Sequence, residues 1–118
     1  MTTQVSTIEY ILDQLSGVPD VWTRKMFGEY ALYCGEKVVA LVCDDTLFVK
    51  ITDKGKEFVG DRYEEGFAYP GAKPSMKIDP DMLEDREWVS ELIILTEAEL
   101  PLPKLKKKKT SATGRQKK

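Results

Sequence analysis

The chain of 118 residues has no histidine and only two cysteines, Cys34 and Cys43. Without histidine there is no Ser-His or Cys-His nucleophile pair, and without a C-x-x-C spacing there are too few soft ligands for a structural zinc site. The glycines follow neither of the spacings that cradle phosphates in dinucleotide-binding and P-loop folds. No run of about 18 apolar residues occurs, and residues 1–10 lack the basic start and apolar stretch of a signal peptide. These absences lead to the expectation of a cytoplasmic, non-enzymatic protein with no metal, no cofactor and no membrane partner.

What the chain does have is enough apolar material for one core, at 42% hydrophobic residues, and a strong segregation of charge. The formal net charge is only −2, yet all 20 acidic residues precede Lys104 and eight of the 18 basic residues follow from that point. The sequence therefore divides into an acidic folded domain, residues 1–103, and a Lys-rich tail, residues 104–118, too polar and too like-charged to fold. The tail residues Lys104, Lys106, Lys107, Lys108, Lys109, Arg115, Lys117 and Lys118 are candidates for weak, non-specific nucleic-acid contact through phosphates.

The stretch from Arg24 to Ile51 is densely β-branched and apolar, broken by Gly35-Glu36 and by Asp44-Asp45. It predicts a three-stranded antiparallel meander with two-residue turns. Side-chain alternation then puts Ala31, Tyr33, Val38, Ala40, Val42, Leu47, Val49 and Ile51 on a core face. Tyr30, Leu32, Val39, Leu41 and Phe48 fall on the opposite face, too apolar to be freely solvated, and are the candidate surface for a protein partner or a homodimer. In this register about 20 Å of strand separates the two cysteines, so no disulfide is expected. Gly28, inside the first strand, marks a bulge or a close approach by another backbone. Arg24 and Lys25, at the start of the meander, are candidates for an anion or partner contact.

Around the meander, Ser6-Thr7-Ile8-Glu9 has the form of a capping box before a helix with Ile8, Ile11, Leu12 and Leu15 on one face. Val18 to Thr23 reads as a connector. Thr52 or Asp53 caps a second helix reaching about Tyr63. Phe67-Ala68-Tyr69 and Ser75–Ile78 read as short strands around a stiff Pro-rich loop, and Asp85 opens a last helix that ends at Pro101. The expected fold is α+β, an antiparallel sheet of about five strands (the three-stranded meander plus two short strands) with flanking helices, in the order α-β-β-β-α-β-β-α. The acidic pairs have plain structural readings: Asp44-Asp45 is turn chemistry, and Asp79 to Glu87 suits a helix N-terminus.

Four segments carry a resemblance. Arg24-x-Met26-Phe27-Gly28-x-Tyr30-Ala31-Leu32-Tyr33, Asp44-Asp45-x-Leu47-Phe48-Val49-Lys50, Phe67-x-Tyr69 and Leu83-Glu84-Asp85, in this order, resemble the TfoX N-terminal domain family over roughly Ile8 to Leu100. The resemblance implies a compact α+β domain and kinship with regulators of competence for DNA transformation, which act with other transcription factors. It departs from the full-length regulators in having a lysine-rich tail where they carry a second domain, and in the segment Pro70 to Pro80. Two functions follow as expectations: a regulatory domain acting by protein contact, and alternatively a nucleic-acid-associated protein acting through its basic tail.

Overall fold

The computed structural model describes residues 3–101. Its frame is an open antiparallel sheet of six strands in the order β1-β2-β3-β4-β6-β5, with helices flanking it, so the α+β class holds. The strands are β1 (Val21–Met26), β2 (Glu29–Cys34), β3 (Lys37–Cys43), β4 (Thr46–Val49), β5 (Glu65–Gly66) and β6 (Ser75–Ile78). The helices are α1 (Val5–Gln14), α2 (Asp53–Val59), α3 (Pro80–Glu84) and α4 (Arg86–Glu99).

The meander has four strands rather than three. Gly28 does not mark a bulge within a long strand. With Phe27 it forms a two-residue turn, both residues having positive φ (83° and 52°), the conformation that matches the twist of a hairpin. The chain therefore folds back on itself at this point, and the supposed connector with Trp22 becomes β1, paired with β2 from Val21↔Cys34 to Met26↔Glu29. Asp44 and Asp45, also at positive φ, make the expected turn between β3 and β4. Of the two short strands expected later, Ser75–Ile78 forms. Phe67–Tyr69 does not, and its place at the sheet edge is taken by Glu65–Gly66.

A bulge does exist, one strand further on. Tyr33 pairs with Val38 but Leu32 pairs with Ala40, so Val39 is the extra residue. The register set by the Gly35 turn is as expected up to that point, and beyond it the faces of β2 exchange relative to β3. Leu32 and Tyr30 join Ala40 and Val42 on the core face, continued across β4 and β6 by Leu47, Val49, Met76 and Ile78. Against this face pack Ile8 and Ile11 of α1, Met82 of α3, and Val89, Leu92 and Ile93 of α4, all in one cluster.

Long-range bonds fasten the helices. No capping box starts α1; its N-cap residue is held by the β3–β4 turn, where Asp45 Oδ1 accepts from the Gln4 N–H at 2.8 Å and from the Thr7 hydroxyl at 2.9 Å. Thr3 Oγ1 donates to Glu29 Oε1 at 2.6 Å and the Thr3 N–H to the Gly28 carbonyl at 3.2 Å, which ties the same segment to the β1–β2 turn. The buried Gln14 amide donates to the carbonyls of Leu83 and Glu84 and so supplies partners for the end of α3. Thr52 and Asp85 cap α2 and α4 as the sequence suggests, accepting from the N–H groups of Gly55 and Trp88.

Candidate functional site

Strand alternation from the observed pairing defines the outer face, the one turned away from the helices. It carries Trp22, Arg24 and Met26 of β1, Glu29, Ala31 and Tyr33 of β2, Leu41 and Cys43 of β3, Phe48 of β4 and Lys77 of β6. The loop that follows β5 crosses this face. Gly66 lies against Phe48 so closely that a Cβ there would stand 3.0 Å from the ring, and any larger residue would have to push the ring aside. Phe48 is buried beneath it.

Between this loop and the β1–β2 turn lies a cleft of about 490 Å³, lined by Met26, Phe27, Glu29, Tyr30, Leu41, Cys43, Asp44, Ala68, Tyr69 and Pro70. Its walls are mainly apolar and its rim carries two carboxylates. The rim is also where large apolar side chains stand in solvent: Phe27 is fully exposed, Tyr69 more than half, and Met26 partly, while Phe67, also more than half exposed, lines the adjoining depression beside Cys43 and Asp44. Trp22, at the other end of β1, is also half-exposed, its ring stacked on Tyr33 at 4.0 Å and 10°, its Nε1 donating to the Gly35 carbonyl at 2.9 Å. A fully exposed phenylalanine and a half-exposed tyrosine at the mouth of one apolar depression are unusual on a monomer's surface.

Phe27 is the anomaly. It occupies the first position of a turn that favours Asn, Asp or Gly, in a left-handed conformation that costs a non-glycine residue about 1–2 kcal/mol, and it gains no burial in return. Glu29 holds the turn beside it in place, its Oε1 accepting from Thr3 Oγ1 and from the Asp44 N–H at 3.1 Å. Rim geometry is thus fixed by the N-terminal segment.

The five residues expected to share an open sheet face do not share one. Leu32 and Val39 are fully buried in the core cluster, and Tyr30, paired with Val42, packs against that core. The bulge at Val39 is the physical reason. Leu41 and Phe48 do lie on the outer face, with Leu41 on the cleft wall. Arg24 and Lys25 are exposed on β1 with side chains on opposite faces, so the structure does not bring them together at one site. Lys104, Lys106, Lys107, Lys108, Lys109, Arg115, Lys117 and Lys118 lie outside the described residues. Phe27, Phe67, Tyr69 and Met26 were missed as surface residues. The signal for them was present, since Met26-Phe27-Gly28 ends in a turn-forming glycine and Phe67-Ala68-Tyr69 runs into Pro70-Gly71.

Chemically reactive groups near the cleft are muted. Burial, then the nearby carboxylates of Glu29 and Asp44, pushes the Cys43 thiol up from its ordinary 9.0, so it stays protonated at neutral pH. Cys34 is raised in the same way, first by burial and then by Glu97 and Asp20, with Lys37 acting in the opposite direction. Tyr63, away from the cleft, donates to Glu65 Oε2 at 2.6 Å and is pushed up to about 12, chiefly by that bond. Among the described residues, no three or more Cys, Asp or Glu side chains gather as a metal-binding group, and no helix is long and apolar enough to cross a membrane.

A model of the TfoX N-terminal domain matches residues 13–100, which includes the whole sheet, α2, α3 and α4. A Spirochaeta aurantia protein, described as an uncharacterized 12.7 kDa protein in the trpE 5′ region, is 41% identical over 116 residues, covering 98% of this chain and 99% of that protein. The chain belongs to the TfoX N-terminal domain family and is a competence-regulator-like domain.

Proposed function

We propose that this domain is a non-enzymatic regulatory module that binds a protein partner through the cleft on the outer face of its sheet. The observation that carries the reading is Phe27, a fully exposed aromatic held at positive φ on the rim of an apolar cleft. A side chain that costs conformational energy and contacts little of its own chain is explained by a contact with another. Phe27 and Tyr69 are the aromatic anchors, and Leu41 forms part of the wall between them. Glu29 and Asp44 form the acidic rim and favour a partner whose apolar anchor is flanked by basic residues.

The test replaces Phe27 by Asn in the chromosomal gene and compares transcripts with those of the wild type and of a deletion strain. Asn suits the turn, so the protein remains folded. The expected result is that Phe27→Asn reproduces the transcript changes of the deletion. A variant indistinguishable from the wild type contradicts the reading.

A further inference from the structure

β1 is an edge of the sheet, and its free side leaves a row of backbone groups without a strand partner among the described residues. Gly35 N–H bonds to the Asp20 carbonyl at 2.8 Å, just beyond the Val21↔Cys34 pair. Hydrogen-bonded and non-bonded pairs alternate along an antiparallel ladder, so Trp22, Arg24 and Met26 share the parity of Asp20 and turn their backbone groups toward β2. The N–H and C=O groups of Val21, Thr23 and Lys25 therefore point away from β2, to the open edge. No other described strand lies there.

Two-fold antiparallel pairing of β1 with its copy is restricted by that parity and by charge. Residues directly opposite each other must lie on the same face. An axis at Arg24 would set Arg24 against Arg24 of the second copy, and an axis at Trp22 would leave only three residues a side in register. An axis at Thr23 pairs Thr23 with itself, Val21 with Lys25 and Trp22 with Arg24. It uses every outward-pointing group from Val21 to Lys25, about six backbone hydrogen bonds in all.

The side chains agree with this register. The Trp22 ring lies flat against Tyr33 on the β2 side, so its other face is turned toward the open edge, where the ring is half-exposed. In the Thr23 register, Arg24 of the second copy falls opposite Trp22 at a non-hydrogen-bonded position, where side chains approach most closely. A guanidinium against that free face makes a cation–π contact, once on each side of the axis. Arg24 takes part in no ion pair among the described residues.

We propose that the protein forms an isologous dimer by β1–β1 pairing about Thr23, with each Trp22 held between its own Tyr33 and the second copy's Arg24. The sheet then runs on through both copies. The two outer-face clefts come to lie on one continuous surface, so a partner can engage both at once.

Sedimentation equilibrium of the full chain from about 10 μM to about 1 mM, the span suited to a small interface, tests this together with Thr23→Pro. Proline at 23 removes an outward N–H only and leaves the β1–β2 bonds intact. The expected result is a monomer–dimer equilibrium in the wild type whose dissociation constant rises about a hundredfold or more in Thr23→Pro, with Arg24→Glu weakening it about tenfold. A wild type that stays monomeric, or a Thr23→Pro variant that dimerises as the wild type does, overturns the proposal. Should Thr23→Pro fail to fold, amide exchange of the wild type decides: protection of the Val21, Thr23 and Lys25 amides that grows with concentration supports the pairing, and protection independent of concentration overturns it. None of these readouts depends on the identity of a partner at the cleft.

Discussion

At the scale of single residues, conformational cost and exposure separate what stabilises this domain from what it offers to others. Phe27 is strained and solvated, so Phe27→Asn is expected to raise stability by about 1 kcal/mol even as it removes the proposed binding anchor. Urea denaturation measures the first effect independently of the second. Asp45 sits at a similar φ, but its side chain holds the start of α1. Asp45→Ala loses that cap and places alanine in a left-handed conformation, which should cost about 1–2 kcal/mol in the same experiment.

The two thiols give a pH prediction. Folding raises both pKa values above 9.0, so the unfolded chain ionises first. Their contribution is fully present below about pH 9 and is lost as pH rises through the folded-state values. Thermal unfolding followed across that range should show stability declining from about pH 9 upward. A variant with Cys34 and Cys43 both replaced by Ala should decline less. In the native protein both thiols should resist iodoacetamide at pH 8 and react in urea, as mass spectrometry can show.

At the scale of elements, two of the turns and the caps of α2 and α4 were readable from the sequence, whereas the start of α1, the Phe27-Gly28 turn and the faces of the strands were not. Asp44-Asp45, Gly35-Glu36, Thr52 and Asp85 each act through local chemistry, a left-handed turn or an Asx or Thr oxygen on a nearby N–H, and local chemistry is what a short stretch of sequence encodes. The bulge at Val39 depends on how two strands already paired accommodate one extra residue. Val38-Val39-Ala40 is apolar throughout and carries no mark of which residue slips. One slipped residue moved Leu32 and Tyr30 to the core side, and so the candidate face drawn from the sequence was half core. Gly28 illustrates a different ambiguity, since a glycine amid β-formers suits a bulge or a hairpin equally and only the pairing of Val21–Met26 distinguishes them.

This revised assignment has its own test. Leu32→Ala should cost about 2–5 kcal/mol, as for a leucine sealed in a core, whereas Leu41→Ala on the cleft wall should cost about 1 kcal/mol. Equal effects at the two positions would return Leu32 to a surface. Phe48, beneath Gly66, belongs with the buried group, so a charge at that position is expected to unfold the outer layer and does not isolate binding.

For the whole molecule, the separation of charge sets the terms of association. The residues before Lys104 hold every carboxylate side chain, and the cleft rim shares in that acidity through Glu29 and Asp44. This surface disfavours direct contact with DNA and favours a basic protein surface. Nucleic-acid association through the residues from Lys104 onward remains a separate proposal, with its own outcome: deletion after Pro103 should abolish retention on duplex DNA, and salt should weaken it steeply in the full chain.

The central claim, that a protein partner seats at the aromatic rim of the cleft, is tested most directly by placing a photo-crosslinking amino acid at position 27, and separately at position 94, in living cells. Ile94 is also a half-exposed apolar residue, but it stands on α4, on the helix side of the sheet. The account predicts a discrete protein adduct from position 27 and none from position 94. No adduct from position 27, or the same adduct from both positions, would contradict it.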